Sequence, residues 1–220
     1  MWVSTARAMS YALAPVTWWK LLPEHRPATP AELGAVLHEL HALPIPETLQ
    51  LPQLNPFERL AERIDAAGTV PEADRAWLRE HLTKLEAAHA NLLPGLPRCV
   101  VHGDAWQGNI AVPMDSGPIL LDLEHVSIGR PEWDLLSVAV DRTDFERISA
   151  EDYRAFTDAY GGFDVTTWPG YRTLAAIREL RWVSFVLSKA DTNRDAARET
   201  QHRLACLRGE IPQPWSWSAF

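Results

Sequence analysis

The sequence predicts an α+β fold that is mainly helical, with a small β-rich island at its centre. Apolar residues recur at helical spacing on both sides of that centre, as in "ELGAVLHELHAL" and "YRTLAAIREL". Short apolar runs bounded by turn residues occupy only the middle, at Arg98–Val101, Asn109–Val112 and Ile119–Leu123. The chain has 220 residues, 46% hydrophobic and 23% charged, an ordinary globular composition. A chain of this size removes roughly 70% of its unfolded surface from water, enough for a sizeable core.

Taken in order, "APVTWWKLLPEH" combines β-branched and aromatic residues before Pro23 and predicts one strand running into a connector. Thr29 is placed as an N-cap, with Pro30 at N1 and Glu32 close behind, for a helix carrying Leu33, Val36, Leu37 and Leu40. The four prolines of "HALPIPETLQLPQLNPF" predict an extended loop. Helices are expected over about 56–67, stopped near Gly68, and over 71–90, with Trp77, Leu78, Leu82 and Leu85 on one face. Beyond the island, helices return from Pro131. Ser149 and Asp152 cap one that Gly161 stops, and two more follow over 170–190 and 191–208. The tail "IPQPWSWSAF" is expected to be a surface arm. There is no internal repeat and no low-complexity linker.

A net charge of −8 argues against a nucleic-acid surface. It favours a cationic partner or serves solubility alone. The two cysteines, Cys99 and Cys206, lack any metal-site spacing, and a reduced cytoplasmic protein is the simplest expectation. No run approaches the ~18 apolar residues of a membrane span, and the early stretch with its single Arg7 makes a poor signal peptide.

Within the island, polar residues stand at the ends of apolar runs: Asp104 after "CVVHG", Asn109 five later, and Asp122 after "PILL". A carboxylate, an amide oxygen and a second carboxylate are hard oxygen ligands suited to Mg²⁺. The Asp-to-Asn interval is that of the protein-kinase catalytic loop H-R-D-x-x-x-x-N, here His102-Gly103-Asp104 followed by Asn109. Other readings compete at each position. Asp104 and Asn109 are common turn residues. His102 is more often structural than catalytic, and Glu124 and His125 either extend a metal site or are solvated. Trp168, Trp182, Trp215 and Trp217 form an aromatic box for a quaternary ammonium or simply pack. The acidic run Asp141, Asp144, Glu146, Glu151 and Asp152 attracts a polyamine or marks solvated helix ends.

The segments "VVHGDAWQGNIAV", "ILLDLEHVSIGRPEWDLLSV" and "ELGAVLHELHAL" resemble the aminoglycoside phosphotransferases, relatives of choline kinase with a protein-kinase-like fold. "DVTTWPGYRTLAAIREL" further resembles a group of actinobacterial members. The resemblance covers Val16 to Arg208. It implies a kinase-like C-lobe over residues 23–220, with residues 1–22 a remnant of the N-lobe and hinge strand, and Trp18 and Trp19 beside the nucleotide. It implies transfer of the γ-phosphoryl of ATP or GTP to a small-molecule hydroxyl. Asp104 would be the catalytic residue, Asn109 and Asp122 would bind Mg²⁺, and His102 and Asp134 would brace the loop. An aminoglycoside is the default acceptor, with choline-like amines, macrolides and other small alcohols open.

Such a kinase also needs a glycine-rich loop and a phosphate-pairing lysine. The first glycine is Gly34, already in a helix, and the lysines are Lys20, Lys84 and Lys189, of which Lys20 lies too near the hinge. The sequence is therefore expected to be a fragment or the product of a misplaced start, with impaired transfer. A natural truncation that only binds, or a shorter arrangement that closes the site, would also fit. Two rival functions stand beside the kinase. One is a metal-dependent hydrolase using His102, Asp104, Asp122, Glu124 and His125; the other is a non-catalytic binding module.

Overall fold

The computed structural model describes residues 7–11, 14–18 and 21–220. Strands β1 (Arg7–Tyr11) and β2 (Ala14–Trp18) pair antiparallel, with Met9 opposite Val16. β2 coincides with the expected strand, whereas "RAMSY" in β1 is too short and mixed to stand out. β3 (His25–Pro27) lies in the expected connector and becomes a strand only through a distant partner, described below.

Helix α1 (Pro30–His41) begins at a reciprocal cap: the Thr29 hydroxyl accepts from Glu32 N at 3.2 Å, and the Glu32 carboxylate accepts from Thr29 N at 2.8 Å. Two of the helix's orphan donors are thereby satisfied locally. α2 (Leu60–Ala66) is shorter than expected, because Arg59 adopts a left-handed φ of 60° and residues 56–59 form turns. α3 (Glu72–Ala90) buries Leu78, Leu82 and Leu85.

The central island is two small sheets, from β4 (Cys99–Val101), β5 (Ile110–Pro113), β6 (Ile119–Leu120) and β7 (Ser127–Gly129). β5 lies between β3 and β6, with Pro27 opposite Ala111 and Ile110 opposite Leu120. β4 pairs antiparallel with β7, Val101 opposite Ser127, and residues 52–54 join the free edge of β7 through Leu54 N to Ile128 O at 3.0 Å. α4 (Glu132–Thr143), α5 (Ala150–Ala159), α6 (Tyr171–Leu187) and α7 (Arg194–Leu207) complete the described elements.

The core is built on α1, α4 and α6, where Leu33, Leu37, Leu135, Leu136, Leu174, Ile177 and Leu180 are fully buried. Each such side chain contributes about 1.5–3 kcal/mol of transfer free energy. α1 approaches α5 so closely that a Cβ on Gly34 would lie 2.4 Å from Phe156 O, which is why glycine interrupts that helix's apolar face. No helix among the described residues is long and apolar enough to cross a membrane.

The C-terminal segment runs over the surface, as expected of an arm, but is anchored by its tryptophans. Trp217 is buried and stacks on Trp215, ring centroids 5.4 Å apart, and both meet the Phe145 ring. Trp215 N donates to Asp144 O at 2.8 Å, and Arg203 Nη2 to Ser218 O at 2.6 Å. The apolar area of two indoles outweighs the cost of ordering the segment. Trp168 lies apart, donating Nε1 to Pro94 O at 3.1 Å, so the four tryptophans pack rather than frame a box. The acidic run is likewise dispersed: Asp144 is buried against Arg172 and Asp141 pairs with Arg147.

Candidate active site

Strand β4 delivers the chain into the turn His102-Gly103-Asp104, and the first turn of α4 holds that turn in place. The Asp134 carboxylate accepts His102 N at 2.6 Å and Gly103 N at 2.8 Å, while Trp133 Nε1 donates to Gly103 O at 2.8 Å. His41 Nε2 donates to Asp134 at 3.1 Å, and its Nδ1 meets the Tyr160 hydroxyl at 2.8 Å. Asp134 is fully buried. Burial alone raises its pKa, but the His41 hydrogen bond, the neighbouring histidines and the backbone N–H of His102 outweigh this and hold it below the usual carboxylate range.

His102 is buried, with both ring nitrogens engaged: Nε2 donates to Leu121 O at 2.8 Å and Nδ1 accepts Asp104 N at 3.3 Å. Gly103 has φ +86°, and a Cβ there would lie 2.4 Å from His125 O. Conformation and close backbone approach both demand glycine.

The His102 staple to Leu121 brings the loop against the strand end that carries Asp122. Leu121 N also donates to Asn109 O at 2.9 Å, and Asn109 Nδ2 donates to Asp104 O at 2.9 Å. Asp104, Asn109 and the residue before Asp122 are thus wired together through the backbone. Asp122 is exposed, with a left-handed φ of 56°, a conformation Asp tolerates better than most residues. Among the described residues, neither Asn109 Oδ1 nor the Asp122 carboxylate has a hydrogen-bond donor. That amide oxygen and carboxylate fit Mg²⁺, which needs one or two protein carboxylates and takes its other ligands from water and phosphates.

The structure does not assemble the five-residue hydrolase centre. His102 has no nitrogen left for a metal, Glu124 and His125 are exposed, and no group of three or more His, Cys, Asp or Glu side chains is placed to hold a metal among the described residues. Trp18 lies in β2, and Trp19 falls outside the described residues.

The sequence reading did not find Arg178. From α6, with a side chain only 2% exposed, it donates Nη1 to Asp104 Oδ1 at 3.0 Å and lies over the Trp133 ring, 4.6 Å from its centroid. Among the described residues, Asp104 Oδ2 has no donor. The available signal was an arginine four residues after Leu174 on an apolar helix face, a position that demands a carboxylate partner. One turn on, Arg181 lies 5.7 Å from the same ring centroid. It lines a cavity of about 460 Å³ with Gly103, Trp133, Ser127, Glu58 and Glu124.

This arrangement is the mainly helical lobe of a protein-kinase-like fold, and the comparisons with solved structures agree. A choline/ethanolamine kinase family protein from Mesorhizobium loti superposes with a TM-score of 0.64 at 18% identity, covering 96% of this chain and 74% of the relative. A spectinomycin phosphotransferase in complex with ADP and spectinomycin gives a TM-score of 0.57 at 12% identity, with 94% and 70% coverage. The macrolide 2'-phosphotransferase of Brachybacterium faecium gives 0.52 at 17%, with 90% and 72% coverage. No curated protein matches the chain in sequence. The model of the phosphotransferase enzyme family matches residues 6–177, and the chain belongs to that family.

Proposed function

We propose that the site transfers the γ-phosphoryl group of ATP or GTP to a hydroxyl of a small molecule. The observation that carries this reading is the wiring of Asp104 to Asn109 and to the strand end before Asp122, with one Asp104 oxygen held by Arg178 and the other without a donor among the described residues. In the reaction a bond forms from the acceptor oxygen to Pγ as the bridging O–Pγ bond breaks. The acceptor's hydroxyl proton passes to Asp104. His102 and Asp134 fix the loop's backbone, so the carboxylate needs little reorganisation on reaction. Asn109 and Asp122 would hold Mg²⁺, which when bound neutralises charge on the nucleotide phosphates.

Residues 23–220 act as the catalytic and acceptor-binding lobe, with 1–22 at its hinge side, where Trp18 and Trp19 would meet the nucleotide. The acceptor enters the cavity beside Gly103, where exposed Glu58 and Glu124 suit a cationic group. The first test reads metal binding. Asp122→Ala should weaken Mn²⁺ binding in the presence of nucleotide by about tenfold or more, read by the Mn²⁺ paramagnetic resonance signal. Unchanged Mn²⁺ affinity would remove Asp122 from the metal site.

Arg178 is a positioning residue in this reading. Arg178→Lys keeps the charge but loses the planar donor fork. It should lower kcat by about 10-fold or more while leaving both KM values within a factor of about two, because it misplaces the proton acceptor without touching either substrate. A raised KM with unchanged kcat would assign Arg178 to ground-state binding instead.

A further inference from the structure

The cavity beside the catalytic loop carries a cation that the phosphotransfer chemistry above does not use. Arg181 is largely withdrawn from water, with one hydrogen bond, Nη1 to Pro56 O at 3.3 Å, and no carboxylate at ion-pair distance among the described residues. Burial and the neighbouring Arg178 and Arg63 disfavour its charged form, while Asp104 and Glu58 support it from a distance. A guanidinium does not give up its proton at neutral pH. A partly desolvated, unpaired cation is costly unless something anionic meets it. Ser127, on the same cavity wall, is 3% exposed, and its Oγ has no hydrogen-bond partner among the described residues. A guanidinium and a hydroxyl, both short of partners, make a donor set for an anionic group. Glu58 and Glu124 supply the opposite charge from exposed positions on the same cavity.

We propose that the acceptor is a zwitterionic hydroxy compound, its carboxylate bound by Arg181 and Ser127 and its ammonium group by Glu58 and Glu124. The proposal rests on the reading that the acceptor occupies the cavity beside Gly103. It narrows the acceptor beyond an amine alone, because an ammonium-only alcohol leaves Arg181 and the Ser127 hydroxyl unsatisfied in the filled cavity. A charge-assisted fork from Arg181 would also orient the acceptor, as bidentate guanidinium–carboxylate pairs do.

Three matched probes separate the charges: serine, its decarboxylated counterpart ethanolamine, and its deaminated counterpart hydroxypropionate. Titration calorimetry on the unaltered chain should rank them serine, hydroxypropionate, ethanolamine in falling affinity. Arg181→Gln should weaken serine and hydroxypropionate by about tenfold or more and leave ethanolamine unchanged. Glu58→Gln should weaken serine while sparing hydroxypropionate. Ethanolamine binding as tightly as serine, no binding of either carboxylate probe at millimolar concentration, or an Arg181→Gln chain that keeps its carboxylate affinity would each overturn the anion site. Equal affinity for serine and hydroxypropionate would overturn the ammonium half. Carboxylate binding through Arg181 without nucleotide-dependent transfer to any hydroxyl would sink the kinase reading and leave this site standing. Transfer to amine-only alcohols, with Arg181→Gln indifferent, would do the reverse.

Discussion

Phosphoryl transfer by an Asp104→Asn chain is expected to fall about 10²–10⁴-fold, the range a positioned general base supplies. The isosteric variant is the informative one. It keeps an oxygen for Arg178, whose buried guanidinium is 3.0 Å from Asp104 Oδ1. Asp104→Ala removes that oxygen as well and leaves a buried cation without its carboxylate, so it should lose the reaction and also melt at a lower temperature. Thermal melts of both variants, run beside a nucleotide-dependent assay with labelled γ-phosphate, distinguish the two effects. Wild-type turnover in Asp104→Asn would show that Asp104 accepts no proton.

Asp134→Ala is expected to cost about 3–5 kcal/mol of folding stability, the scale for removing one partner from a buried charged network. It strips acceptors from His41 and from two backbone N–H groups at the site's central turn. The pH dependence has a definite sign. Because the folded state depresses this carboxyl's pKa, its contribution is present above the unfolded value of about 3.9 and fades as pH falls through the folded value. Urea midpoints of the two chains should therefore differ most near neutrality and converge in acid. A constant gap across that range would mean that Asp134 stabilises the turn by shape rather than charge.

Sequence revealed what is local and hid what is distant. The caps at Thr29 and Ser149 were legible because donor and acceptor lie within three residues of each other. The interval from Asp104 to Asn109 was legible for the same reason, and Asp122 followed from the apolar run before it. β3 and β7 were not, since three-residue strands acquire their identity from partners at β5 and β4 far along the chain. Arg178 finds Asp104 across 74 positions, and no periodicity encodes that pairing. His41, a helix-end residue by pattern, reaches Asp134 across 93. The two terminal tryptophans looked like an exposed tail because nothing in "IPQPWSWSAF" announces that Phe145 waits to receive them. Family resemblance supplied Asp134; physical reading of residues alone would have left it an ordinary first-turn acid.

Cys99 lies on the strand that leads into the central turn, buried and unoxidised. Burial, helped by Asp134 and Glu132, pushes its thiol up to about 12, so the folded protein offers almost no thiolate to an electrophile. Alkylation of Cys99 then requires a local opening that bares β4, and the labelling rate at that residue becomes a clock for the opening. The protein thus contains its own gauge of how often the floor of its candidate site comes apart. A ligand that tightens the floor should slow the clock without touching the sulfur.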